Sequence, residues 1–332
     1  MSAARPTELL PPTWDPTLDV EAVDGVASAL SSAGLAVARE DPLGARTTLG
    51  VGGAARCAVV PRDADELTVV LTVLASYDEC AVPLLVVGRG SNLLVGDLGW
   101  PGVALRLGAG FKWQQRAGAQ VSAGGGLAMP ALAAWTAAEG LSGLEFAAGI
   151  PASVGGSVRM NAGAHHGSTA DRLVGVRVAS VTEPAGAELA PAELSFGYRR
   201  SLLPPRSVVT AARWELAPLD PAQIRGRLDE LRAWRRATQP LRQRNCGSVF
   251  TNPDGDSAGR LVEAAGCKGR RRGGARISEK HANSIVVDEP ATAADVRALI
   301  AEVRAEVVRA GGPLLEPEVR LVGRFDATAE TP

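Results

Sequence analysis

Between Gly140 and Ser168 the chain reads GLSGLEFAAGIPASVGGSVRMNAGAHHGS, with glycine at 140, 143, 149, 155, 156, 163 and 167. Pro151 fixes one bend, and Leu144, Phe146, Ile150, Val154 and Val158 lie between the glycines. Glycine loses more backbone freedom on folding than any other residue, so this density needs a reason. Two are open. The stretch is a run of tight turns, or it brings backbone close to a ligand and presents N–H groups to an anion. A second glycine-rich stretch upstream and polar motifs downstream favour the ligand.

A length of 332 residues implies two domains or three, and 46% hydrophobic residues suffice for real cores. The formal net charge of −1 provides no general attraction to nucleic acid or to an anionic membrane. No apolar run approaches the ~18 residues that span a bilayer, so no membrane insertion is expected. The first residues, MSAARPTELLPPTWDPTLDV, lack a basic start followed by an apolar core and read as a flexible leader, not a secretion signal. The four cysteines (Cys57, Cys80, Cys246, Cys267) have no C-x-x-C spacing, and two of the three histidines are adjacent, so no metal site is expected. Free thiols in a reducing cytoplasm are the simple reading.

Helical spacing of Val23, Val26 and Leu30 predicts a short helix over 21–35, closed by Gly34. Thr47, Thr48 and Gly50, Gly52, Gly53 form a turn into a strand at Ala58–Val60, followed by a helix over 64–76 with acids at its start. Leu84–Val87 reads as a buried strand, Gly88-Arg89-Gly90-Ser91-Asn92 as a turn and Val103–Leu107 as another strand. A dinucleotide G-x-G-x-x-G would need a third glycine near Leu93 and a helix after it, and neither is present. A strand–turn–strand offering N–H groups and the Ser91 hydroxyl to a pyrophosphate fits better, and an ordinary hairpin turn is the alternative. Further on, strands are expected at 120–123, 174–181, 207–216, 284–287 and 316–322, with one at the centre of the Asn245–Pro253 motif. Helices are expected at 130–139, 222–238, 258–265 and from Thr292 to Gly311, the last with Asp295 in the capping-box position.

Several side chains could carry chemistry. Tyr198-Arg199-Arg200-Ser201 is a carboxylate clamp or a basic surface turn. Ser248, beside Gly247, offers an open hydroxyl or is a turn serine, and no G-x-S-x-G surrounds it. Glu318, within an apolar strand, is a buried acid of raised pKa or an outward residue paired with Arg320. His165, His166 and His281 make loop or substrate contacts.

The set GRGSNLLV, GIPASVGGSVRMNAGA, FGYRRS, NCGSVFTNP, AGRLVEAAGCKG…SEKHANSIVV and LEPEVRLVG resembles the UDP-N-acetylenolpyruvoylglucosamine reductases, from about Thr47 to Gly323 and in family order. The resemblance implies an α+β chain. Its FAD-binding part is bipartite, of the vanillyl-alcohol-oxidase class, and a smaller α+β substrate domain follows. The implied division is a leader and short helix at 1–35, an FAD-binding domain at 36–219 (subregions 36–107 and 108–219), a substrate domain at 220–326 and a tail at 327–332. FAD, held non-covalently, would lie against Gly88, Arg89, Gly90, Ser91, Asn92 and Leu93, and against Ile150, Pro151, Val154, Gly155, Gly156 and Asn161. Arg199, Ser248 and Glu318 fall on the catalytic positions, and Tyr198, Asn252, His281 and Asn283 on or beside the substrate positions.

The implied reaction carries hydride from NADPH by way of FAD to the terminal alkene carbon of an enolpyruvyl ether on a UDP-sugar. Arg199 and Glu318 would stabilise the enolate and Ser248 would protonate it. A monomer in the cytoplasm, with small-molecule partners and no nucleic acid, is expected. The gap from Tyr198 to Asn245 matches the form with a short substrate loop. Thr238 stands where the family has a lysine before Gln-Pro, His165 where an aromatic often follows NAGA, and Cys246 where alanine is usual. The lost lysine leaves a paralogue acting on another nucleotide-linked enolpyruvyl ether as an alternative. A flavin oxidase is another, against which stand Ser248 with Glu318 as acids and no evident histidine context for covalent flavin. A flavin-less binding protein is a third, against which the intact Arg199, Ser248 and Glu318 argue.

Overall fold

The computed structural model describes residues 20–165 and 167–325. The expected leader up to residue 19, His166 and the tail at 327–332 lie outside the described residues.

The first unit is a sheet covered by two helices, α1 (Val20–Ser32) and α2 (Ala64–Ala75). α2 begins where the Asp63 side chain accepts the Glu66 N–H at 3.0 Å, a cap that satisfies one otherwise unpaired donor. Its apolar stripe, Leu67, Val70, Leu71 and Leu74, packs with Val23, Val26 and Leu30 of α1 against Cys57, Val59, Val103 and Leu105 of the sheet. The strand order is Val37–Asp41, Ala55–Val59, Trp100–Leu105, Leu84–Val86; the first pair is antiparallel and the others parallel. The strand expected at Val103–Leu107 begins earlier, at Trp100, because Ala55 and Trp100 already pair.

The second unit is a five-stranded antiparallel sheet in the order Ala187–Leu189, Leu173–Ser180, Ser207–Glu215, Gln120–Gly124, Gln114–Ala117. Helices α3 (Met129–Ala138) and α4 (Val154–Met160) bury Met129, Leu132, Val154 and Val158 against Val121, Val176, Ala212 and Trp214. Each such large side chain contributes roughly 1.5–3 kcal/mol by leaving water. The Trp214 Nε1–H donates to Thr169 O at 3.0 Å, so the buried indole keeps a polar partner. Helix α5 (Pro221–Thr238), capped by Asp220, places Ile224 and Leu228 on Ala137 and Ala148.

The third unit sets α6 (Ala258–Ala264) and α7 (Ala293–Arg309) on a short sheet ordered Arg244–Asn245, Ile285–Val287, Ala275–Ile277, Arg271–Arg272. The capping box expected at α7 is present: Asp295 N–H donates to Thr292 Oγ1 and Thr292 N–H to Asp295 Oδ2, each at 3.0 Å. Two ties bind this unit to the first. Asp97 accepts the N–H groups of Ala293 and Ala294 at 2.8 Å, and Leu49, Val51 and Leu94 enter the third core. The strand expected over Glu316–Val322 is regular only at Arg320–Val322, where it runs parallel to Leu93–Val95. Before it, the backbone at Glu316 and Glu318 bonds Thr251 and Val249.

Candidate functional site

A cleft of two joined lobes, about 640 and 880 Å³, runs between these units. Leu85, Val86, Gly88, Arg89, Ser153, Gly156 and Arg159 line both lobes. Small-molecule pockets occupy roughly 300–1,000 Å³, so two such lobes end to end suit a long ligand.

The turn Gly88–Asn92 forms one wall. It is not a hairpin, because Leu84–Val86 and Leu93–Val95 belong to different sheets. The backbone N–H groups of Gly88, Arg89, Gly90, Ser91 and Asn92 make no hydrogen bond to the described protein. Successive unpaired N–H groups form an anion-binding concavity. Thr48 Oγ1, buried in the same lining, also lacks a partner. The turn is held by Thr48 N–H, which donates to Gly90 O at 3.2 Å, and by Asn92, whose Nδ2–H donates to Glu318 O at 3.0 Å.

The second glycine stretch behaves differently. Gly155 N–H donates to Gly125 O at 2.9 Å and Gly156 N–H to Ser153 Oγ at 3.2 Å, so both are spent within the protein. A Cβ on Gly155 would stand 3.1 Å from Val209 O. Tight packing against the Val209 and Gly125 carbonyls therefore favours glycine at 155. Ile150, Pro151, Gly155 and Gly156 do line the cleft, as do Gly88–Leu93. Val154 is fully buried in the second core. Asn161 is the left-handed C-cap of α4 (φ +39°), its Nδ2–H donating to Gly197 O at 3.1 Å and its Oδ1 accepting from Ala170 N–H at 3.1 Å. Neither lines the cleft; Asn161 positions the loop that carries Arg199.

Arg199, Ser248 and Glu318 come together in the second lobe. Arg199 adopts φ +57°, a conformation costly to a residue with a side chain. There its Nη1–H donates to Gly163 O at 3.0 Å and its Nε lies 2.8 Å from Glu318 Oε1. The latter contact is an ion pair whose N–H is not aligned as a hydrogen bond. Glu318 has a side chain 14% exposed, and burial pushes its pKa up against the opposing pull of Arg199.

Ser248 follows Gly247 (φ +73°), whose N–H donates to Asn245 Oδ1 at 2.9 Å; Asn245 N–H in turn donates to Thr48 O at 3.1 Å. On the other side, Glu318 N–H donates to Val249 O at 2.7 Å. The serine turn and the glutamate thus share one backbone network with the Gly88–Asn92 wall. The strand expected at the centre of this motif is a single bridge, Phe250 to Pro317.

His281 lines the cleft, and burial lowers its pKa, which keeps the ring neutral near pH 7. Asn283 is buried, with Oδ1 accepting from Phe250 N–H at 2.9 Å and Nδ2–H donating to Phe250 O at 2.8 Å. It holds the backbone beside Ser248 and does not line the cleft. Asn252 Oδ1 accepts from Ala258 N–H at 3.0 Å, and its own N–H donates to the exposed Tyr198 hydroxyl at 3.4 Å. These two stand beside the cleft, not in its lining. Thr238 turns its Oγ1–H onto Trp234 O at 2.9 Å, back on its own helix.

Sequence reasoning missed Thr48, Gly125, Gly126, Arg159 and Arg235, all in the lining. The Gly124–Gly126 run was a legible signal. The arginines had none, because their value lies in which wall they reach.

A family profile described as FAD binding domain matches residues 55–183, and one described as UDP-N-acetylenolpyruvoylglucosamine reductase, C-terminal domain, matches residues 239–322. A UDP-N-acetylenolpyruvoylglucosamine reductase from Anaeromyxobacter sp. (strain Fw109-5) is 44% identical over 292 residues, 88% of this chain and 90% of the relative. One from Heliobacterium modesticaldum is 43% identical over 289 residues, 86% and 90% of the two chains. The crystal structure of UDP-N-acetylenolpyruvylglucosamine reductase from Thermus caldophilus superimposes with a TM-score of 0.75 at 38% identity, covering 87% of this chain and 98% of that one. The α+β architecture with its FAD-binding class, the cleft and these near full-length likenesses agree, and the chain belongs to the UDP-N-acetylenolpyruvoylglucosamine reductase family.

Proposed function

We propose that this chain is a UDP-N-acetylmuramate dehydrogenase. It reduces the enolpyruvyl ether of UDP-N-acetylglucosamine enolpyruvate with NADPH and FAD, in peptidoglycan precursor synthesis. The observation that carries the reading is the Arg199–Glu318 pair in one lobe with Ser248. The unpaired N–H groups of Gly88–Asn92 and the Thr48 hydroxyl fit the diphosphate of FAD, with Ile150, Pro151, Gly155 and Gly156 along its length. When bound, FAD supplies the hydride taken from NADPH.

The chain's own residues do the rest. Arg199 places a fixed positive charge where the substrate's carboxylate and adjacent carbon become negative. Preorganised charge of this kind is often the largest catalytic contribution. Glu318 in its acid form donates a hydrogen bond to the same developing charge, and Ser248 Oγ–H gives its proton to the ether-bearing carbon. A serine hydroxyl is a weak acid, so the nearby guanidinium favours the transfer. In this reading residues 36–219 hold the cofactor and 220–326 complete the substrate side. A monomer acting in the cytoplasm is part of the same reading. Among the described residues no helix is long and apolar enough to cross a membrane. The lysine charge absent at Thr238 has a counterpart one turn back, where Arg235 lines the cleft.

The test is a visible spectrum of the purified protein, with NADPH added before and after the enolpyruvyl substrate. Flavin bands that bleach with NADPH and return with substrate are expected. A colourless protein that takes up no added FAD overturns the reading.

Glu318 makes the activity depend on pH. Because its pKa is raised in the fold, the acid form is lost only as pH rises through a value above the usual carboxylate range. Substrate turnover is expected to fall along that limb, and Glu318→Gln, which keeps a neutral donor, to flatten it. The same shift makes the folded state bind more protons than the unfolded chain between the two pKa values. Unfolding stability therefore declines across that window in the wild type and less in the variant. Identical pH–rate profiles for both proteins would remove Glu318 from the proton inventory.

A further inference from the structure

Trp234 is 48% exposed on the last turn of α5, and it lines the lobe that holds Arg199, Ser248 and Glu318. His165 meets it edge to face, with ring centroids 4.7 Å apart at 86°. That geometry is favourable for an aromatic pair and steadies the indole while leaving ring surface open. Beside it, Arg235 has a buried Nε without a hydrogen-bond partner. Its side chain lies on Gly149, where any Cβ would collide with Arg235 Cδ. A guanidinium drawn out of water with no acid beside it is costly unless an anion completes it. An open aromatic ring next to an unfilled cation is the chemistry of a nucleotide site: a base stacks and a phosphate is clamped.

We propose that Trp234, steadied by His165, and Arg235 form a nucleotide subsite in the second lobe, stacking a nucleobase and binding its phosphate. The proposal rests on the functional reading above, under which two nucleotides visit this lobe, the UDP-sugar and NADPH. Both offer a base and a phosphate. The test is calorimetric titration of the FAD-loaded protein with UDP and, separately, with 2′,5′-ADP, for wild type, Trp234→Ala, Trp234→Phe and Arg235→Gln. Trp234→Ala is expected to weaken binding roughly tenfold to a hundredfold. Trp234→Phe should retain most of the affinity, and Arg235→Gln should weaken the same probe.

Loss for UDP alone assigns the subsite to the sugar nucleotide, loss for 2′,5′-ADP alone to the reductant, and loss for both to each in turn. Unchanged binding of both probes by Trp234→Ala overturns the subsite while the functional reading stands. Release of FAD by Trp234→Ala on dialysis also overturns it, because the ring would then be holding the cofactor. A wild type that binds neither probe overturns the functional reading and the subsite with it.

Discussion

Ser248→Ala is expected to slow reduction of the enolpyruvyl substrate by roughly 10²–10⁴-fold while leaving oxidation of NADPH near the wild-type rate. The two half-reactions differ in what they ask of the protein. Taking hydride from NADPH needs no acid on the substrate side. Saturating the enolpyruvyl double bond needs a proton at the ether-bearing carbon, and Ser248 Oγ is a neutral hydroxyl in the lobe that holds Arg199 and Glu318, on the turn bonded to the Glu318 backbone. Its turn is fixed from both sides, by Gly247 N–H on Asn245 Oδ1 and by Val249 O accepting from Glu318 N–H. Removing one oxygen therefore leaves the backbone network intact, and the loss should be chemical, not structural. Stopped-flow absorbance with each partner in turn separates the steps, and Ser248→Cys should keep part of the activity. Substrate turnover by Ser248→Ala at the wild-type rate would pass the proton to Glu318 or to water.

Gly90→Val should destabilise the folded chain by roughly 3 kcal/mol or more, and FAD should be lost as a consequence. Gly90 has φ +65°, where a β-branched residue is strongly disfavoured, and a Cβ there would sit 2.8 Å from Thr47 Cα and 3.1 Å from Arg46 O. Backbone atoms cannot swing away as a side-chain tip can. Gly90 O also accepts the Thr48 N–H, so displacement of the turn would disturb the segment that anchors Asn245 and Ser248. Urea unfolding of the cofactor-free protein measures this. If that stability is unchanged and only FAD affinity falls, the obstructed neighbour is the ligand and not Thr47.

The elements most legible in the sequence are those built from neighbours along the chain. Thr292 with Asp295, Asp63 with Glu66, and the apolar stripes of α2 and α7 are decided within one or two helical turns, because a capping bond or a 3.6-residue period needs no distant partner. Motif likeness likewise named Arg199, Ser248 and Glu318, and the structure gathers them in one lobe. The residue types and their order were thus determined by the sequence alone. Only the tertiary structure decided which donors are available. The two glycine-rich stretches look alike as sequence, yet the N–H groups of Gly88–Asn92 are unpaired while those of Gly155 and Gly156 are bonded to Gly125 O and Ser153 Oγ. Tertiary structure also turned Asn161 and Asn283 into backbone anchors, and brought Arg159 and Arg235 to the cleft. The physical reason is that satisfaction of a polar group depends on what packs against it, and its partner lies in a segment that local sequence cannot specify.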